Sequence, residues 1–96
     1  MWRVVIVDDQ ALIRQGITGL LQVAGIDVVG EADDGSNAIE IITRTAPDVV
    51  LLDMRMPRFD GIWTLDGLQE KGIDIPVLML TTFDDDALVL DALRAG

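Results

Sequence analysis

Three aspartates at the ends of two short apolar runs are the strongest chemical signal in this chain. The branched apolar residues 4–7 lead directly into Asp8 and Asp9, and residues 49–52 lead directly into Asp53. Such runs, bounded by polar residues, predict strands that are buried on both faces. If the two strands lie side by side and parallel, their carboxyl ends bring the three acids together. Because converging carboxylates repel one another unless a cation lies between them or one keeps its proton, the pattern predicts a divalent-metal site with a carboxylate that can react.

Composition restricts what this site can bind. The 96 residues include no Cys and no His, which removes thiolate ligands, the usual zinc ligand and the commonest general base. Any bound metal is therefore held by oxygen, which favours Mg²⁺, Mn²⁺ or Ca²⁺. The net charge of −10 argues against direct binding of nucleic acid or of a membrane surface. The length predicts one domain, residues 1–96, and the lack of Cys, of a signal peptide and of a long apolar stretch leads us to expect a cytoplasmic location.

The elements that position the acids follow from the alternation of patterns along the chain. The predicted strands are residues 4–8, 27–31, 49–53 and 77–81. Strands that alternate with helices predict right-handed crossovers and a parallel sheet with helices on both faces. Ligands bind such sheets outside the carboxyl ends of the strands, where Thr81 stands as well as the three acids.

Local signals predict where the helices begin and end. One face of the first helix consists of Ile13, Ile17, Leu20, Leu21 and Ala24. Gly25 ends that helix as a left-handed residue. The third helix is predicted over residues 61–71, and a fourth begins in the acidic run 84–86 and continues to Arg94.

The second helix is predicted to begin at Ser36 as its N-cap, after a turn at Asp34 and Gly35. Pro47 prevents the helix from continuing. Its predicted buried residues are Ala38, Ile39 and Ile42.

Three segments carry a resemblance to a known family: VVIVDDQ at 4–10, VVLLDMRMPRFDG at 49–61 and PVLMLTT at 76–82. Together they resemble the receiver domain of two-component response regulators. The resemblance implies a doubly wound parallel sheet of the flavodoxin type, with strand order 2-1-3-4 here and the fifth strand and last helix missing. Residues 81–96 look most like the subfamily whose receiver is followed by a helix-turn-helix DNA-binding domain, which implies DNA binding only through a domain absent from this chain.

The same resemblance implies roles for individual residues. Asp53 would be the phosphoacceptor, receiving its phosphoryl group from a phosphohistidine of a sensor histidine kinase. Thr81 would hydrogen-bond the phosphoryl group, with Thr82 as its small neighbour. The residues implied to hold Mg²⁺ or Mn²⁺ are Asp8, Asp9, Asp53 and, through its backbone carbonyl, Arg55. The chain would then be a signalling domain rather than an enzyme, catalysing at most its own phosphorylation and dephosphorylation.

Simpler interpretations stand beside these roles. Asp8 could cap the following helix, Asp9 could be a solvated acid and Asp53 a turn residue. Thr81 also suits any strand, because it is β-branched. The other residues with plain structural interpretations are Asp60 and Gly61 as a turn, and Met54 and Trp63 as packing residues.

The family pattern continues beyond this chain and supplies a Lys and an aromatic residue to the site. Lys71 is the only lysine here and lies in the wrong place for that role. We expect the fourth strand to form a sheet edge, which favours a homodimer or a strand-swapped oligomer.

Two other classes of function remain open from the sequence. A Mg²⁺-dependent phosphatase with an aspartyl nucleophile tends to carry a second Asp two residues later, where Arg55 stands. An interaction module that keeps the fold without being phosphorylated is the other alternative.

Overall fold

A computed structural model describes residues 2–56 and 59–80 of the chain. Its elements alternate between strand and helix, as predicted. In chain order they are β1 (Arg3–Val7), α1 (Ala11–Val23), β2 (Asp27–Ala32), α2 (Gly35–Thr45), β3 (Val49–Asp53), α3 (Gly61–Glu70) and β4 (Val77–Leu80). Thr81, Thr82 and the predicted fourth helix lie outside the described residues.

The described strands form one parallel sheet in the order β2-β1-β3-β4, which confirms the predicted order. β1 and β3 therefore lie side by side in the middle. Their register pairs Val7 with Leu52, so the next residues along the chain, Asp8 and Asp53, lie next to each other at the carboxyl ends of the two strands. This register is what brings the predicted site together.

Alternate side chains of the two central strands enter two apolar layers. Val5, Val7, Val50 and Leu52 pack in one cluster with residues of α2 and α3. The opposite layer contains Val4, Ile6 and Leu51, against which Ile17 and Leu21 of α1 pack. Helices on both faces explain why residues 4–7 of β1 and 49–52 of β3 are uninterrupted apolar runs rather than alternating polar and apolar residues.

The start of α2 differs from the prediction, because its N-cap is Asp34 and not Ser36. Asp34 has an extended backbone, and its carboxylate accepts a hydrogen bond of 2.9 Å from the Asn37 N–H. Asp and Ser are comparable N-caps, so the local sequence does not separate the two positions. Gly35 decides between them, because it is buried against α3 as the first residue of the helix. The buried residues of α2 include the predicted Ala38, Ile39 and Ile42.

Asp60 is also more than the predicted turn residue. Its carboxylate accepts a hydrogen bond of 3.0 Å from the Trp63 N–H, which makes it the N-cap of α3. Gly61 follows as the first helical residue, and a side chain there would collide with Met54. Trp63 is half-exposed and contacts Phe59, with ring centroids 4.6 Å apart, so it packs at the surface rather than in the core.

The predicted apolar face of α1 is only partly correct. Ile17 and Leu21 pack towards the sheet, whereas Leu20 is 73% exposed. Ala24 is exposed as well, so the side of α1 that packs towards the sheet is narrower than predicted. The predicted end is confirmed, since the helix stops at Val23 and Gly25 follows with a φ of 80°. Within the described residues, no helix is long and apolar enough to cross a membrane.

Candidate metal centre

Asp8, Asp9 and Asp53 converge at the carboxyl ends of β1 and β3. One carboxylate oxygen from each lies within 4.8 Å of the others. Asp8 and Asp53 are buried, at 5% and 4% exposure, while Asp9 is exposed. The cluster therefore combines two buried carboxylates with one that is in contact with solvent.

Asp8 is held at three points. Its N–H donates to the Ala32 carbonyl of β2 at 3.0 Å, which extends the pairing of the two strands by one residue. Its Oδ1 accepts from the Gln10 N–H at 2.8 Å, and its carbonyl accepts from Arg14 Nη1 at 2.6 Å. Gln10 is the N-cap of α1 and makes no side-chain cap of its own, so Asp8 assists the start of that helix as well as joining the acid cluster.

Asp53 is the last residue of β3, and the chain turns immediately after it. Its Oδ1 accepts a hydrogen bond of 2.9 Å from the Arg55 N–H, which closes a short side-chain turn. Asp53 is therefore a turn residue, as the simpler interpretation predicted. That interpretation does not account for the burial of a carboxylate beside two others, which is costly without a compensating charge.

The surroundings make both buried acids harder to ionise. Burial raises the pKa of Asp53, and the charges of Asp8 and Asp9 raise it further against the lowering effect of the Arg55 N–H. The pKa of Asp8 is raised chiefly by burial and also by Asp9, although the Gln10 N–H and the Arg14 charge lower it. A cation bound among the three carboxylates would remove this penalty.

The cluster fits a small divalent cation. Its donors are all carboxylate oxygens, the ligands that Mg²⁺, Mn²⁺ and Ca²⁺ prefer. The separation of up to 4.8 Å is close to the span of roughly 4–5 Å that oxygen ligands on opposite sides of such an ion cover. The donor set is therefore compatible with such a cation, and the identity of the bound metal stays a prediction.

The remaining predicted site residues have different outcomes. Arg55 lies two residues after Asp53, and its N–H donates to the Asp53 carboxylate. The role of its carbonyl as a metal ligand stays a prediction. Thr81 and Thr82 lie outside the described residues, so their predicted contacts with a phosphoryl group stay predictions.

Arg14 is the site neighbour that sequence reasoning missed. It lies on the inward side of α1, one turn before Ile17, and contacts Asp8 directly. The sequence did contain a signal for this role, because Arg14, Ile17 and Leu21 are spaced at i, i+3 and i+7 and so share one face of the helix. A charged side chain on an apolar face needs a polar partner.

The chain is similar to known proteins in sequence as well as in fold. A family model for the response regulator receiver domain matches residues 4–96. The probable transcriptional regulatory protein NarL of Mycobacterium tuberculosis is 42% identical over 95 residues, which cover 98% of this chain and 44% of that protein. The chain thus spans less than half the length of this relative.

Solved structures have the same fold. The signal receiver domain of the response regulator NarL from Mycobacterium tuberculosis superposes with a TM-score of 0.79 at 42% identity, covering 99% of this chain and 77% of that one. A complex of CheX and CheY with BeF3 and Mg²⁺ from Borrelia burgdorferi gives a TM-score of 0.79 at 30% identity, covering 99% of this chain and 72% of that one. With the matched family model, these likenesses identify the chain as a member of the response regulator receiver domain family.

Proposed function

We propose that residues 1–96 form a receiver domain in which Asp53 accepts a phosphoryl group from a phosphohistidine of a sensor histidine kinase. The observation that carries this proposal is the burial of Asp53 beside Asp8 and Asp9, at the carboxyl end of a central strand. A buried acid at this point is poorly explained by stability, because its neighbours raise the free energy of its charged form.

The chemistry requires little from the protein beyond positioning and charge neutralisation. An oxygen of the Asp53 carboxylate attacks phosphorus, the bond from phosphorus to the donor nitrogen breaks, and the imidazole leaves with its electron pair. The product is an acyl phosphate on Asp53. The Arg55 N–H orients the Asp53 carboxylate for this attack through its hydrogen bond to Oδ1.

The residues that would hold Mg²⁺, or Mn²⁺ in its place, are Asp8, Asp9 and Asp53, with the Arg55 carbonyl as a further ligand. When bound, such an ion would supply positive charge to offset the repulsion between an anionic phosphoryl group and the three acids. The relative from Borrelia burgdorferi, whose structure contains Mg²⁺, supports this part of the proposal. Asp8 and Asp9 contribute by presenting carboxylate oxygens beside the attacking group without themselves reacting.

The wider role follows from the relatives. Phosphorylation would shift a two-state equilibrium of the receiver and thereby control an effector domain. The likeness to NarL, a probable transcriptional regulatory protein, supports a DNA-binding effector domain elsewhere in the whole protein. The cytoplasmic location stays a prediction. The domain itself would be regulatory. It would catalyse at most its own phosphorylation and dephosphorylation.

The test is intact mass spectrometry after incubation with Mg²⁺ and acetyl phosphate. We expect the wild-type chain to gain one phosphoryl group and Asp53→Asn to gain none. Asp66→Asn, which removes an exposed acid of α3, is the matched control and should react like the wild type. Equal labelling of Asp53→Asn would overturn the assignment of the acceptor. Absence of labelling in every chain would favour the interaction module, and continuous release of phosphate from a phosphomonoester would favour the phosphatase.

A further inference from the structure

Arg14 connects the acid cluster to two elements of the fold. Its Nη1 donates to the backbone carbonyl of Asp8 at 2.6 Å, a short, charge-assisted hydrogen bond. Its Nε lies 3.5 Å from Oε1 of Glu31, near the end of β2. The Arg14 side chain is only 20% exposed, so it is held between α1 and β2 rather than moving freely in solvent.

The carbonyl that Arg14 binds belongs to the peptide between Asp8 and Asp9. Fixing this peptide limits the directions in which both side chains can leave the backbone. The other contacts of Asp8, from its N–H to Ala32 and from Gln10 to its Oδ1, fix the residue only on the Asp8 side. Arg14 is therefore the contact best placed to orient the two acids relative to each other.

We propose that Arg14 is a positioning residue for the cation site, holding Asp8 and Asp9 in the arrangement that binds the metal. This inference rests on the proposed function, because it takes the three acids to be the metal ligands. Glu31 supports Arg14 by fixing its guanidinium group. Outer partners of metal ligands commonly control metal affinity in this way.

Charge repulsion and positioning predict opposite effects of removing Arg14 on the affinity for Mg²⁺. A cation close to the site repels Mg²⁺, so removing the charge of Arg14 would strengthen metal binding if charge were its only influence. If Arg14 positions the acids, its removal weakens binding despite the lost repulsion. The direction of the change therefore separates the two roles.

The experiment measures the dissociation constant of Mg²⁺ by isothermal titration calorimetry on the metal-free chain. The variants are Arg14→Met, Arg14→Lys and Glu31→Gln, with Arg44→Met as the matched control. Arg44 is an exposed arginine in the last turn of α2, so its replacement makes the same change in net charge without touching Asp8. Thermal melting of each variant without metal reports whether the fold is intact.

We expect Arg14→Met to weaken Mg²⁺ binding by about tenfold, the lower end of the effect of lost outer partners. Arg14→Lys should recover part of the affinity, because a lysine can still donate to the Asp8 carbonyl. Arg44→Met should bind as tightly as the wild type or slightly more tightly.

Unchanged or tighter binding by Arg14→Met, beside a wild type that binds Mg²⁺, would overturn the positioning role and leave the proposed function standing. A wild type that does not bind Mg²⁺ at millimolar concentrations would instead overturn the metal site and this inference with it. If Arg14→Met does not fold, Glu31→Gln takes its place, and Mg²⁺ binding by Glu31→Gln as tight as that of the wild type would count against the proposal.

Discussion

The Gly35 N–H donates a hydrogen bond of 2.9 Å to the Phe59 carbonyl and so joins the start of α2 to the loop before α3. This loop begins at Asp53, so the contact connects the candidate phosphoacceptor loop to a neighbouring helix. The approach is close enough that a Cβ on Gly35 would collide with Oγ1 of Thr64 and with the Phe59 carbonyl. Gly35 is thus required by tertiary contacts, although its own φ is not in the left-handed region.

Gly35→Ala is expected to destabilise the chain by about 1–3 kcal/mol, the usual cost of forcing extra volume into a packed contact. Chemical denaturation measures this change. Gly19→Ala is the matched control, because Gly19 lies on α1 with open space around its Cβ position. There the better helix propensity of alanine should stabilise the chain by about 0.5–1 kcal/mol. Equal effects of the two substitutions would contradict the close contact.

The capping of α2 gives a second prediction. Asp34→Ala removes the acceptor for the Asn37 N–H and should lower the free energy of unfolding by about 1 kcal/mol. Ser36 lies inside the helix and is exposed, so Ser36→Ala should be close to neutral. A larger loss in Ser36→Ala than in Asp34→Ala, measured by denaturant titration, would restore Ser36 as the cap.

Asp53→Asn should raise the melting temperature of the metal-free protein at pH 7. The substitution keeps the shape of the side chain and removes a buried charge that lies beside Asp8 and Asp9. For a domain of this size, a gain of about 1 kcal/mol corresponds to a rise of about 4–8 °C. Added Mg²⁺ should stabilise the wild type more than the variant. A lower melting temperature for Asp53→Asn, with that of Asp66→Asn unchanged, would show that the charge of Asp53 beside Asp8 and Asp9 does not destabilise the fold.

The raised pKa of Asp8 and of Asp53 also predicts how stability depends on pH. Both acids bind protons more tightly in the folded chain than in the unfolded chain. Their favourable contribution to the free energy of unfolding is therefore fully present below the ordinary aspartate pKa of about 3.8. It is lost as the pH rises through the raised pKa values of the folded chain. We expect the stability difference between the wild type and Asp53→Asn to be larger at pH 7 than at pH 4, without divalent metal. A difference that is constant with pH, in denaturation at both pH values, would contradict the raised pKa.

The core beneath the site should be sensitive to truncation. Ile42 of α2 is 1% exposed and packs against the central strands, so Ile42→Ala should cost about 2–5 kcal/mol. Leu12 of α1 is 82% exposed, and Leu12→Ala should change the free energy of unfolding by less than about 0.5 kcal/mol. Denaturant titration of the two variants checks both values, and similar losses would mean that Leu12 is covered in solution.

Much of the fold could be predicted from local patterns. The uninterrupted apolar runs before Asp8 and Asp53 indicated strands buried on both faces, and Gly25 and Pro47 marked where two helices end. The strand order came from the family resemblance, which the structure confirms. The predicted cluster of Asp8, Asp9 and Asp53 needed this order, which makes β1 and β3 neighbours, together with the rule that parallel strands end at the same edge of a sheet.

The sequence by itself therefore determined which residues form strands and which acids follow them, because apolar runs and strand ends are local features. Only the tertiary structure decided which of two good N-caps begins α2 and which leucine of α1 faces the sheet. It also decided that the arginine in contact with the acid cluster is Arg14. Those choices depend on contacts between elements far apart in the chain, such as Gly35 against Phe59 and Arg14 against Asp8 and Glu31. Local propensity is nearly equal for the alternatives, so packing and the pairing of buried polar groups select among them.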